Sequence, residues 1–174
     1  MRAVVVFESM YGATHVAAEA IAEGLAPLGD VEVVSVADAA NANVAEADLL
    51  VVGGPTHMHG MTSERSRAMA VQAAEKKPDL HVEPSATAGP GLREWLADCE
   101  GNGRRAAAFD TRLAKPAFLT GAASHGIARR LRHHGYSLVA EPESFLVTND
   151  GLLVDGEAAR ARAFGADLAA HVAD

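Results

Sequence analysis

Apolar residues follow two patterns along the chain, continuous short runs and helically spaced positions. Runs such as AVVVF and LLVVGG are unbroken and end in turn residues, which is typical of strands buried on both faces of a parallel sheet. The predicted strands cover residues 3–7, 31–36, 49–54, 105–109 and 136–147. In the last strand Pro142 indicates a sheet edge or a break, because proline cannot donate a hydrogen bond to a neighbouring strand.

Between these runs the apolar residues recur at intervals of three and four, which predicts helices. The predicted helices cover residues 14–26, 64–75, 90–99, 121–134 and 156–172. Residues 76–90, KKPDLHVEPSATAGP, form one long irregular stretch, called the connector below. Strands that alternate with helices predict a doubly wound α/β fold, and residues 1–174 show no clear domain boundary. We therefore expect a single domain.

The stretch FESMYGATHVAAEAI changes from a buried strand to a helix through a small polar loop. Backbone N–H groups from Met10 to Thr14 can surround an anion, with the positive end of the following helix behind it. The hydroxyls of Ser9 and Thr14 can donate further hydrogen bonds. Because the loop has no Lys or Arg, we expect dipoles rather than a charged side chain to neutralise the anion. The loop matches neither the triphosphatase pattern nor the dinucleotide-binding pattern.

Two further polar stretches follow predicted strands, and ligands of doubly wound sheets bind beyond the carboxyl ends of strands. They are GPTHMHGM, residues 54–61, and FDTRLAKP, residues 109–116. His57 and His59 could share a face and bind a metal, but no third ligand is placed near them, and we expect no metal site. Arg112 could point at a ligand, or it could pair with Asp110 and hold the loop.

Composition and charge exclude some functions. The net charge is −8, and residues 1–60 contain Arg2 as their one basic residue, so a nucleic-acid partner is not expected. No apolar run is long enough for a membrane span, and the chain enters a strand at once, so we expect neither a span nor a signal peptide. Cys99 is the single cysteine, which rules out an internal disulfide and favours the cytoplasm.

The loop after the first strand carries a family resemblance. Its spacing matches (F/Y)-x-(S/T)-x-x-G-x-T-x-x-x-A-x-x-(I/L/V), a signature of flavodoxin phosphate loops. The matching residues are Phe7, Ser9, Gly12, Thr14, Ala18 and Ile21. The chain therefore resembles flavodoxin-like FMN-binding proteins, and SMYG with GGPTHMHGM is also similar to their quinone-reductase branch.

The resemblance implies a fold, a cofactor and a set of site residues. The fold is a five-stranded parallel sheet of order 2-1-3-4-5 in a three-layer sandwich, and the cofactor is FMN. The residues implied to bind the phosphate are Ser9, Met10, Tyr11, Gly12, Ala13 and Thr14. Those implied to flank the flavin ring are Pro55, Thr56, His57, Met58, His59 and Gly60, and those implied at its pyrimidine edge are Asp110, Thr111 and Arg112.

The same resemblance leaves three functions open. We expect a redox protein that carries electrons through FMN and reduces quinone-like acceptors, because Arg112 and two histidines could stabilise a negatively charged reduced ring. The alternatives are a one-electron carrier that docks to redox partner proteins and a flavin-free scaffold. The 54–61 loop lacks the Trp or Tyr that stacks on the ring in many flavodoxins.

Overall fold

The computed structural model describes residues 1–173, in which parallel strands alternate with helices. The strands are β1 (Arg2–Phe7), β2 (Asp30–Ser35), β3 (Leu49–His57), β4 (Gly60–Met61), β5 (Arg105–Leu113), β6 (Ser137–Leu138) and β7 (Glu143–Val147). The helices are α1 (Ala13–Leu25), α2 (Glu64–Glu75), α3 (Leu92–Ala97), α4 (Ala117–Thr120), α5 (Ala123–His133) and α6 (Glu157–Ala173).

The sheet has the predicted order. Strands β2, β1, β3 and β5 lie side by side and parallel, and β6 and β7 pair one after the other with β5. Counting β6 and β7 together as the fifth strand, the order 2-1-3-4-5 is confirmed. Pro142 falls in the gap between β6 and β7, so the predicted fifth strand is broken at that point.

Two short elements were not predicted. Strand β4 pairs antiparallel with the end of β3 and forms a hairpin. It has two residues, which are too few for an alternating pattern to predict a strand. Helix α4 has four residues, too few for a helical period to appear in the sequence. Both follow the carboxyl end of a parallel strand, and both therefore alter the edge of the sheet where a ligand is expected.

Alternate residues of the central strands face two apolar layers. Val5, Val51 and Ala107 are fully buried in the layer that contains α1 and α6. Val4 and Val52 are fully buried in the opposite layer, which contains α3 and α5. Burial on both faces explains why these strands read as continuous apolar runs.

The strand register aligns the carboxyl ends of β1, β3 and β5. Phe7 of β1 pairs with Gly53 of β3, which in turn pairs with Phe109 of β5. A Cβ on Gly53 would lie 2.1 Å from the Phe109 ring, so the ring fits only against a glycine. The polar residues that follow these three positions therefore emerge together at one edge of the sheet.

Candidate functional site

A cavity of about 220 Å³ lies beyond the carboxyl ends of β1, β3 and β5. The chain leaves β1 in one direction towards β2 and returns on the other side as β3, so this is the switch point of the sheet. The lining residues that the sequence predicted are Ser9, Met10, Tyr11, Ala13, Thr14, Pro55, Thr56, His57, Thr111 and Arg112. The structure thus brings together residues from all three predicted stretches.

One end of the cavity, called the phosphate end, consists of residues 9–14. Gly12 has a φ of +101°, a conformation that a side chain would strain, and its N–H donates to Ser9 Oγ at 3.1 Å. The Ser9 and Thr14 side chains are buried, and the Thr14 and Thr111 hydroxyls share a hydrogen bond of 2.7 Å. This bond joins the start of α1 to the end of β5.

The backbone N–H groups at the phosphate end are available to a ligand. Within residues 1–173, the N–H groups of Met10, Tyr11, Ala13 and Thr14 donate to no protein acceptor. Ala13 and Thr14 begin α1, where the first N–H groups have no partner inside the helix. Such a set of unpaired donors at a helix N-terminus is suited to an anion.

Contacts from behind hold the phosphate end in place. The Glu83 N–H of the connector donates to the Met10 carbonyl at 2.9 Å, and the Tyr11 hydroxyl donates to the Ala70 carbonyl at 2.8 Å. Met10 and Ala86 pack in one small apolar cluster with Ala70. Burial raises the pKa of Tyr11 above its ordinary value, so its phenol stays a proton donor at neutral pH.

The opposite end, called the ring end, consists of residues 55–60 and 110–112. Pro55, Thr56 and His57 line the cavity, and Thr56 Oγ1 accepts a hydrogen bond of 2.9 Å from the Ala123 N–H at the start of α5. Burial lowers the pKa of His57, which favours its neutral form.

Met58 and His59 form the two-residue turn between β3 and β4, with φ values of 48° and 71°. Positive φ at both turn residues matches the twist of a tight hairpin. Met58 is 76% exposed, and His59 bridges to Gly121, where a Cβ would lie 2.2 Å from the His59 carbonyl oxygen. Met58, His59 and Gly60 therefore lie at the hairpin tip and outside the residues that line the cavity.

The two charged residues at the end of β5 have separate partners. Asp110 is fully buried, and its Oδ2 accepts a hydrogen bond of 2.7 Å from the Ser124 N–H. Arg112 Nη1 donates to the Lys115 carbonyl at 2.7 Å, and its buried Nε has no partner within residues 1–173. No ion pair joins Arg112 to Asp110 in that described part of the chain.

Burial sets the protonation of Asp110. Desolvation raises its pKa, and the Ser124 N–H, the nearby Ser124 and Ser144 hydroxyls and the charge of Arg112 oppose that rise. The Asp110 Oδ1 atom is buried without a partner within the described residues. Burial therefore favours the protonated, neutral form of this carboxyl group.

Several residues around the cavity were missed by the sequence reasoning. They are Leu80 of the connector, Leu113 of β5, and Val147, Thr148, Asn149 and Gly151 from the end of β7 and the turn after it. The stretch TNDG at 148–151 is a strong turn signal, but only the pairing of β7 with β5 brings it to this edge. A Cβ on Gly151 would lie 3.2 Å from the Tyr11 Cβ, so this turn closes against the phosphate end.

Glu8 is a buried residue that the sequence analysis also missed. Both of its carboxylate oxygens accept from the Thr62 hydroxyl, at 2.8 and 2.7 Å, and Oε2 also accepts from the Leu92 N–H at 2.9 Å. Arg67 Nη1 lies 3.9 Å from Oε1. Glu8 thus ties the residue before the phosphate end to the elements that follow the β3–β4 hairpin, and it positions the loop without lining the cavity.

Two further observations concern other classes of site. Among residues 1–173 there is no group of three or more His, Cys, Asp or Glu side chains arranged to hold a metal ion. None of the helices in the same range combines the length and the apolar character that crossing a membrane requires.

A model of the flavodoxin family matches residues 5–109, which contain the end of β1, the phosphate end and strands β2 to β4. The chain belongs to the flavodoxin family. Flavodoxins bind FMN as their cofactor, so this chain is an FMN-binding redox protein. A search of curated proteins found no match to the sequence.

Solved structures of other flavodoxins share the fold. Flavodoxin 1 of Bacillus cereus is 20% identical, with a TM-score of 0.68 over 98% of this chain and 99% of its own. A flavodoxin from the domain Archaea is 21% identical, with a TM-score of 0.65 and full coverage of both chains. A WrbA-like flavodoxin protein from Agrobacterium tumefaciens is 20% identical, with a TM-score of 0.62 over 99% of this chain and 97% of its own.

The cavity of this flavodoxin fits FMN chemically. Its lining contains one arginine, Arg112, and no carboxylate, so no negatively charged side chain of the lining opposes a phosphate group. The unpaired N–H groups of residues 10–14 lie at one end, and the apolar side chains of Leu80, Leu113 and Val147 lie elsewhere in the wall. Polar donors at one end and an apolar wall beside them match a phosphate joined to a flat ring system.

Proposed function

We propose that this flavodoxin reduces quinone-like small molecules through bound FMN. The phosphate is held by residues 9–14, and the pyrimidine edge of the ring faces residues 110–112. Residues 55–60 flank the ring, with residues 55–57 in the cavity wall and residues 58–60 at its open rim. The FMN supplies the redox chemistry, and the chain supplies binding, orientation and charge. We also propose that residues 1–174 form one domain that works in the cytoplasm, where the free thiol of Cys99 would stay reduced.

The observation that supports a reductase is the position of Arg112. Arg112 is one of the residues that line the cavity, and it forms no ion pair within residues 1–173. Its Nη1 donates to the Lys115 carbonyl, and its Nε has no partner in the same range. Fully reduced flavin tends to carry a negative charge on its pyrimidine edge, and a guanidinium nearby would stabilise that charge. The second electron would then enter easily, which favours the transfer of two electrons to an acceptor such as a quinone.

The histidines contribute less to this argument than Arg112. Burial holds His57 towards its neutral form, so it would supply a hydrogen bond rather than a positive charge. His59 is exposed at the hairpin tip and outside the cavity lining. The proposal therefore depends on a single cation at the ring end.

A second function, electron transfer to a protein partner, is favoured by a different observation. Large apolar side chains are exposed on the hairpin tip and on α4, next to the ring end, with Met58 76%, Phe118 82% and Leu119 55% exposed. The bridge between His59 and Gly121 holds the hairpin tip to the end of α4. Apolar side chains that share one rim are suited to a transient protein contact.

A reoxidation experiment with two different acceptors separates the two functions. The FMN-loaded protein is reduced anaerobically with a chemical donor and mixed with a benzoquinone or with a one-electron protein acceptor such as a cytochrome. A reductase is expected to reoxidise in one phase with the quinone, with one quinone reduced per flavin. Slow or incomplete reoxidation by quinone, with rapid single-electron transfer to the cytochrome, would support the carrier and overturn our proposal.

A further inference from the structure

His15 lies in the first turn of α1, directly after the phosphate end. Its ring stacks on Phe7, with the ring centroids 4.4 Å apart and the planes at 19°. The side chain is 40% exposed, so the ring lies against the protein on one side and is open to solvent on the other. An aromatic face beneath an imidazole ring stabilises the ring further when it carries a positive charge.

Both nitrogens of the His15 ring face carboxylates. Nδ1 lies 3.0 Å from Glu83 Oε1, and Nε2 lies 3.4 Å from Glu19 Oε1. A neutral imidazole has one N–H group and can donate to only one of these oxygens. The geometry therefore fits an imidazolium, which has an N–H for each carboxylate.

Glu83 places a negative charge close to the phosphate end. Its Oε1 lies 3.7 Å from the position a Cβ would take on Gly12, and its buried Oε2 has no partner within residues 1–173. A lone carboxylate at this place would repel a phosphate bound by the loop. A protonated His15 offsets the charge of Glu83, whereas the side chain of Glu19 is 61% exposed and solvent screens its charge. The loop itself contains no Lys or Arg.

Among residues 1–173, the linings of the two cavities that border His15 contain no other basic residue. The titratable residues lining the two cavities that border it, besides His15 and Glu83, are Tyr11, Glu19 and Asp38. Tyr11 belongs to the phosphate end, Glu19 to α1 and Asp38 to the turn after β2. His15 is therefore the single basic residue of these two linings, and it follows the phosphate end directly in the chain.

We propose that His15, held as an imidazolium between Glu83 and Glu19, selects phosphorylated flavin over riboflavin. Because Glu83 also binds the Met10 carbonyl through its N–H, the same ion pair fastens the connector to the back of the phosphate end. Phosphate binding and the His15–Glu83 pair then stabilise each other. The inference rests on the proposed phosphate site, and it adds a residue that selects for the phosphate group.

The first test compares FMN with riboflavin. Dissociation constants of both flavins are measured with the apoprotein at pH 7 for the wild type, His15→Gln and His125→Gln. His125 is an exposed histidine of α5 and serves as the matched control. At pH 7 we expect His15→Gln to weaken FMN about fivefold, the size of one partly exposed charge pair, and to leave riboflavin unchanged.

Equal losses of affinity for FMN and riboflavin in His15→Gln would overturn the proposed role of His15 and leave the proposed cofactor site intact. A wild type that binds neither flavin would instead overturn the proposed cofactor site.

Two further measurements do not depend on the loaded protein's redox activity. In the apoprotein at pH 7, nitrogen-15 NMR of the His15 ring should show both nitrogens protonated, and a neutral ring would contradict the proposal. Glu83→Gln should weaken FMN because it breaks the ion pair that holds His15, while the backbone bond from residue 83 to the Met10 carbonyl is kept. If Glu83 only repels the phosphate, that variant would bind FMN more tightly, and this outcome would overturn the proposal.

Discussion

The phosphate end and the ring end of the cavity are built by different means. At the phosphate end Ser9 and Thr14 are 1% and 2% exposed, and hydrogen bonds from β5, the connector and α2 surround the loop. At the ring end the hairpin tip is open, and Met58 is 76% exposed.

The difference separates binding from reactivity. A buried cradle of backbone donors holds its shape without a ligand, so it can bind a phosphate with little reorganisation. An open ring end lets an acceptor or a partner protein reach the flavin. We therefore expect changes at the phosphate end to alter cofactor affinity, and changes at the ring end to alter redox behaviour or partner choice.

The largest expected effect is that of Thr14→Ala on FMN affinity. A hydroxyl that donates to a charged phosphate contributes about 1.5–3 kcal/mol, so FMN should bind roughly 10- to 100-fold more weakly while riboflavin is little affected. Equilibrium dialysis with both flavins measures this. Thr111→Val removes the partner hydroxyl at 2.7 Å and leaves Thr14 in place, so it separates the ligand bond from the bond within the protein. A loss of thermal stability with an unchanged ratio of affinities would make Thr14 a structural residue.

Gly12→Ala should have the next largest effect, again at the phosphate end. A side chain at a φ of +101° is strained by roughly 1–2 kcal/mol, and the loop can relieve this only by turning its N–H groups away from the phosphate. The control is Gly103→Ala, at a φ of +79° with no atom within 4 Å of the added Cβ. Both variants should lose stability in a urea titration, but only Gly12→Ala should lose preference for FMN over riboflavin. The same preference in both variants would contradict the proposed cradle.

Arg112→Gln tests the ring end. Without the guanidinium the second one-electron potential of bound FMN should fall by roughly 30–60 mV, equivalent to about a three- to tenfold change in the equilibrium constant. The two potentials should therefore move apart, whereas in the wild type they should lie close together. A spectroscopic redox titration measures both, with Arg162→Gln, an exposed arginine paired with Glu23, as the control. A wild type whose half-reduced flavin spectrum dominates over a wide range of potential would favour the one-electron carrier.

Asp110→Asn should change how stability depends on pH. Burial raises the pKa of Asp110 above 3.8, so its contribution to stability is present below that value and is lost as pH rises through the folded-state pKa. The neutral Asn should therefore raise the free energy of unfolding at pH 7 relative to the wild type, with the gain vanishing towards pH 4. Urea unfolding at both pH values measures it. A variant that is less stable at pH 7 would show that the carboxylate is needed for its bond to the Ser124 N–H.

The smallest expected effect on binding is that of Met58→Ser at the exposed hairpin tip. An exposed residue outside the cavity lining should change FMN affinity by less than about 0.5 kcal/mol. The rate of electron transfer to a protein acceptor should fall if Met58 contacts that partner, while the rate with a quinone stays the same. Stopped-flow measurements with both acceptors compare the two rates, and an equal fall in both would place Met58 next to the flavin ring itself.

Much of this protein is determined by its sequence alone. Unbroken apolar runs bounded by turn residues predicted the parallel strands, because both faces of such a strand are buried and its residues are therefore apolar on both faces. The phosphate end was predicted as a unit, because the residues that form it are adjacent in the chain and its shape depends on Gly12 and on the helix that follows.

Only the tertiary structure decided the rest of the site, because its parts are far apart in the chain. Leu80 and Gly151 reach the cavity through the packing of the connector and the pairing of β7 with β5. Glu83 meets His15 across 68 positions. The sequence left open whether Arg112 points at a ligand or pairs with Asp110. In the structure Arg112 donates to the Lys115 carbonyl and not to Asp110. Such contacts depend on how distant segments pack, and the spacing of residues within a short stretch of sequence does not predict them.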